Sequence, residues 1–154
     1  MWRKIVVVAL GLALALSFGL GAAMAPQGSP RAVDAQDLLA RYDEQATTYW
    51  MSGQSEWPAL EQSLGPIRRA VDGEGFRIVD AESQSSQESV REDGQALVVE
   101  ASTSTTWVLT GQPSGSPAPS GQPPQTRSSS TDRHRLTFDA SSGELLRDEF
   151  LPDL

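Results

Sequence analysis

One imidazole, His134, stands in the run Asp132-Arg133-His134-Arg135. Two residues apart on an extended chain, Asp132 and His134 project to the same face, the placement by which a carboxylate orients a ring acting as general base. The partners such a base would serve are missing. There is no Cys, no Gly-x-Ser-x-Gly, and the single Lys, Lys4, sits too near the N-terminus for a Ser-x-x-Lys pair in the body. The plainer reading makes His134 a polar cross-strand residue near the start of a hairpin, where Gln would be tolerated. Without Cys, and with one His, neither a thiolate zinc site nor a His cluster can be assembled. The carboxylates Glu82, Glu88, Glu92, Asp93 and Glu100 lack EF-hand spacing and read as a solvated strand face. No metal and no cofactor is expected.

The aromatic residues Tyr49, Trp50, Trp57 and Trp107 are the second set with chemical content. Placed near the end of a helix and on a long strand, they either fill a core or line a pocket for an apolar or sugar ligand. Charge narrows the partners further. The chain has 12 Lys+Arg against 20 Asp+Glu, a formal net charge of −8, and two of the positive residues, Arg3 and Lys4, precede the apolar leader. So acidic a body repels phosphate and excludes nucleic acid as a partner.

These residues need elements to hold them, and 154 residues provide for one small domain. Residues 1–25 are set apart first: after Arg3-Lys4, Ile5 to Ala25 is an uncharged apolar run, the form of a signal peptide or a signal anchor. Small residues allow cleavage after Ala23; uncleaved, residues 5–25 are long enough to span a bilayer and would be the chain's only attachment to a membrane. Either outcome makes the protein extracytoplasmic, secreted or anchored. The absence of Asn, the single Lys and a positive charge carried by Arg fit a GC-rich bacterium such as an actinomycete.

Residues 26–32 read as a tether. Beyond it Leu38, Leu39, Tyr42, Ala46, Tyr49 and Trp50 recur at helical spacing, with Asp34 as the cap and Ser52-Gly53 as the stop. Ser55 is placed to cap a second helix with Pro58 in its first turn, which Gly65-Pro66 should end, with room for one more turn from Ile67 to Val71. The period then falls to two. A strand opens at Phe76, Asp93-Gly94 turns it, and residues 95–110 return with Leu97, Val99, Ala101, Thr103, Thr105, Trp107 and Leu109 on one face. Residues 111–130, with five prolines and many serines, read as a disordered loop within the domain that spans 33–151. Its prolines include no P-x-x-P pair. Strands at 133–138 and 144–150, joined through Ser141-Ser142-Gly143, close the chain. The order predicts an α+β fold, N-terminal helices packed on a bent four-stranded antiparallel sheet.

This order, with a closing hairpin written His134-Arg135-Leu136-Thr137-Phe138 and Gly143-Glu144-Leu145-Leu146-Arg147-Asp148, resembles the NTF2-like (cystatin-like) cone domains over residues 33–151. In particular it is similar to the exported region that precedes amidase domains of Gram-positive bacteria, although no amidase part is present in this chain. The resemblance implies an accessory or binding module of the cell envelope without catalytic activity, its partner an envelope protein or a small apolar or sugar ligand held at the mouth of the cone. It also implies an alternative, because some cone domains are isomerases that pair Asp with Tyr. Tyr42, Tyr49, Asp80 and Asp139 supply those types here, and a small-ligand enzyme would use such a pair or His134.

Overall fold

The computed structural model describes residues 33–111 and 123–152; the leader, the tether, residues 112–122 of the expected loop and residues 153–154 lie outside them. Helix α1 (Ala35–Ser52) starts and stops where its caps require. The Asp34 carboxylate accepts the N–H of Gln36 at 3.0 Å, and Gly53, at φ 77°, donates its N–H to the Tyr49 carbonyl. All six residues of the expected stripe, Leu38 through Trp50, are buried. No helix among the described residues is long and apolar enough to cross a membrane.

Helix α2 (Pro58–Gly73) departs from expectation at both ends. Trp57 occupies the cap position, while Ser55 lies two residues earlier and accepts the Trp57 N–H at 3.0 Å. Gly65-Pro66 does not end the helix. A proline inside a helix removes one N–H and crowds the carbonyl four residues back, and here tertiary packing outweighs that cost. Gly65 is buried where α2 meets α1, and a Cβ there would come within 3.1 Å of the Tyr49 hydroxyl.

The sheet is a four-stranded meander in chain order, β1 (Phe76–Asp93), β2 (Ala96–Gly111), β3 (Gln125–Asp139) and β4 (Leu145–Leu151), every pair antiparallel. Two helices packed on this sheet make the α+β fold that the sequence predicts. Register shifts between Ile78 and Asp80 and between Gln87 and Ser89 interrupt β1, as bending a long hairpin requires. Helix α1 lies chiefly on β1 and α2 on β4. Between them and the sheet sits the core, whose fully buried large side chains include Leu38, Tyr42, Leu60, Val99, Leu136, Phe138 and Leu145.

β3 corrects the reading of residues 125–130 as loop. They form its first half and pair with Thr105–Thr110 of β2. Their polar side chains carry no alternation, yet the backbone of β2 offers them a complete ladder. On the far side of the sheet α1 covers the edge of β1. Thr47 Oγ1 accepts the N–H of Ser83, and the Asp43 carboxylate accepts both the N–H and the hydroxyl of Ser85. Burial raises the pKa of Asp43, and the two bonds from Ser85 act against that rise.

Candidate functional site

The functional geometry gathers on Asp148, a residue the sequence did not single out. Its side chain has no exposure to solvent. One oxygen lies 2.7 Å from His134 Nδ1; the other accepts the Tyr42 hydroxyl at 3.0 Å and stands 2.6 Å from Ser63 Oγ. Four elements thus meet at one carboxylate: Tyr42 from α1, Ser63 from α2, His134 from β3 and Asp148 from β4. A buried carboxylate is tolerated only where its lone pairs are filled, and these three groups fill them.

Register explains why Asp148 points inward. Counting alternately from the buried Leu145 would turn Asp148 to solvent. An irregularity in the β3–β4 pairing intervenes, with Thr137 opposite Arg147 but Phe138 opposite Leu145. The extra residue, Leu146, is exposed, and beyond it Asp148 and Phe150 face the helices.

His134, read from the sequence as a polar cross-strand residue, is buried, at 3% exposure. Asp148, not Asp132, orients the ring. Asp132 shares the face but accepts instead from Ser130 Oγ at 2.7 Å. Phe150 packs on the ring with centroids 4.4 Å apart. Tyr42 Oη also comes within 3.4 Å of Nδ1, a longer approach than its bond to Asp148. Burial first, and then the Asp148 carboxylate, push the Tyr42 phenol well above its ordinary value of 10.

Beside this network lies a cavity of about 20 Å³, bordered by Tyr42, Trp50, Thr103, Trp107, His134 and Phe150. That volume accommodates about one water molecule and no sugar ring. Its floor is polar but committed: Thr103 and Thr105 hydroxyls bond those of Ser85 and Ser83 at 2.9 and 3.2 Å. Of the four aromatic candidates, Trp50 and Trp107 line the cavity, edge to face at 5.3 Å. Trp107 Nε1 is buried without an acceptor among the described residues. Tyr49 packs instead against Trp50 and beneath the Arg68 guanidinium. Trp57 belongs to the opposite end, against Phe138 and Arg41.

Among the Asp and Tyr residues proposed as a pair, Tyr42 alone is in the network, and its carboxylate partner is Asp148. Asp139 caps the β3–β4 turn, accepting from the backbone and hydroxyl groups of Ser141 and Ser142. Asp80 lies on exposed β1 opposite Val108. The described residues contain no cluster of three or more His, Asp or Glu placed to hold a metal ion.

No protein-family model matches the chain, and no curated protein sequence does. Among solved structures it is similar to the crystal structure of the intermembrane space region of chloroplast protein ARC6, at 13% identity and a TM-score of 0.45, over 83% of this chain and 100% of that one.

Proposed function

We propose that this chain is an extracytoplasmic binding or accessory module of a bacterial envelope, and that its reactive-looking residues are a structural lock. The observation that carries the reading is the Asp148 carboxylate, buried and bonded to three partners, two of which, Tyr42 and His134, border a cavity the size of a water molecule. A general base needs substrate within hydrogen-bond reach. Here Phe150 covers the His134 ring and Trp50 and Trp107 occupy the space a ligand would take. The uncharged run from Ile5 to Ala25 supports delivery outside the cytoplasm. The element order keeps the likeness to NTF2-like exported domains within this proposal.

A second reading has one observation in its favour. Asp148 backs Nδ1 of His134, and no hydrogen bond among the described residues engages Nε2, which is how an oriented base is arranged. Unfolding curves of His134→Gln and Asp148→Asn separate the two readings. As a lock, each variant loses about 2–4 kcal/mol, because a buried partner is left unpaired. Variants as stable as the parent would overturn the lock and favour the base.

A further inference from the structure

One edge of the sheet is closed by the molecule itself, and among the described residues the other is left open. On β1, α1 takes the outward N–H groups of Ser83 and Ser85, and the stretch beyond carries Glu88, Arg91, Glu92 and Asp93, the kind of charge that discourages strand addition. Opposite, β4 pairs with β3 only between Arg133 and Phe138. Pro152 follows Leu151 and has no N–H with which to extend the ladder. β3 runs on to Gln125, supported by β2 along its whole length.

Which backbone groups face the open side follows from parity. The N–H of Asp139 bonds the Glu144 carbonyl across the closing hairpin, and that of Ala140 bonds Gln95 on the β2 side. The β2–β3 register is unbroken, so Arg127, Ser129 and Thr131 turn both N–H and C=O toward the open edge. No strand lies beside them among the described residues. No proline or bulge guards this stretch, and Arg127 is its only charge before Asp132. Arg127 has no acidic partner among the described residues. Where β4 ends, Phe150 and Ile67 stand 41% and 39% exposed at the rim of the cavity.

We propose that β3 from Gln125 to Asp132 is a docking edge for an extended peptide segment of a partner protein, added in line with β4. Such a strand places an apolar residue against Phe150 and Ile67 on the inner face and an acidic residue beside Arg127 on the outer. Main-chain bonds supply affinity and the alternating side chains supply selectivity. A second copy of the chain is the poorer occupant, since two bodies of net charge −8 would meet edge to edge. The inference rests on the binding-module reading and names its surface and class of partner.

The probe is an acetylated, amidated eight-residue peptide alternating valine and phenylalanine with glutamate and threonine, compared with one carrying lysine for glutamate. Hydrogen exchange of the full chain should show the amides of Arg127, Ser129 and Thr131 exchanging freely and becoming at least tenfold protected at saturating peptide. Ser129→Pro removes an outward donor that β2 does not use and should abolish binding; Ser129→Ala should leave it unchanged. Arg127→Glu, which keeps the backbone intact, should weaken the glutamate peptide about threefold or more and favour the lysine one. The proposal is overturned by absence of binding, by normal binding in a folded Ser129→Pro variant, or by an Arg127→Glu variant that does not discriminate between the peptides. Protection already present in the free chain also overturns it, showing self-pairing if concentration-dependent and coverage by the chain's own segments if not. Binding that protects other amides removes this edge while leaving the module reading standing, and that reading is decided separately by His134→Gln and Asp148→Asn.

Discussion

Tyr42 keeps its proton beyond the ordinary phenol range because burial, and then the neighbouring Asp148 carboxylate, disfavour its phenolate. The unfolded chain has no such restraint and ionises near pH 10. Stability from the buried phenol is therefore fully present below about pH 10 and drains away as pH climbs toward the raised folded value. Denaturant unfolding measured from pH 9 upward should fall more steeply for the parent than for Tyr42→Phe, by the equivalent of one proton. Equal slopes would mean that the phenol is not sequestered. Asp139 carries the opposite sign. Bonds from the Ser141 side chain and from the Ser142 and Ser141 amides hold its carboxyl down to about 2. Its support of the closing turn is complete above the ordinary carboxylate range and is lost as pH falls toward that value.

Between β2 and β3, deletions can be placed inside or outside the paired residues. Replacing residues 112–122 by a four-residue Gly-Ser turn should leave the thermal midpoint within a few degrees, since loop closure depends only logarithmically on length. Extending the replacement through residue 129 removes the ladder partners of Thr106–Thr110, Ser128 opposite Trp107 among them, and should lower the midpoint sharply. Equal midpoints for the two replacements would mean that the first half of β3 adds nothing to the fold. Sequence reading missed that half because Gln125–Thr131 contains no apolar residue, so no period of two could appear, and order comes from the neighbouring backbone instead. It broke α2 at Gly65-Pro66 for a related reason: the penalty of Pro66 is local and visible, whereas the close approach at Gly65 is tertiary. α1 was legible throughout because its caps and its stripe agree. The candidate site was legible only in part. His134 and Tyr42 belong to recognisable strand and helix patterns, but Asp148 turns inward through a single irregularity beside Leu145 that no alternation rule anticipates.

At the scale of the molecule, location and assembly follow from chain order. Fused to a reporter, residues 1–32 should carry it out of the cytoplasm. A mature N-terminus at Met24 would identify cleavage, an intact one in the membrane fraction an anchor, and a cytoplasmic reporter would defeat the export reading. Each strand pairs with the one before it, so a chain emerging N-terminus first from a ribosome or a translocation channel can zip its sheet together progressively. The carboxylate at the centre of the network arrives with the last strand. Until it does, the hydroxyl of Tyr42 and the ring of His134 lack their shared acceptor, and neither helix is tied to the closing edge. A product cut short before β4 would lack that acceptor, and should be cleaved by proteases faster than the full chain, so the polar network rewards only the chain that carries its closing strand.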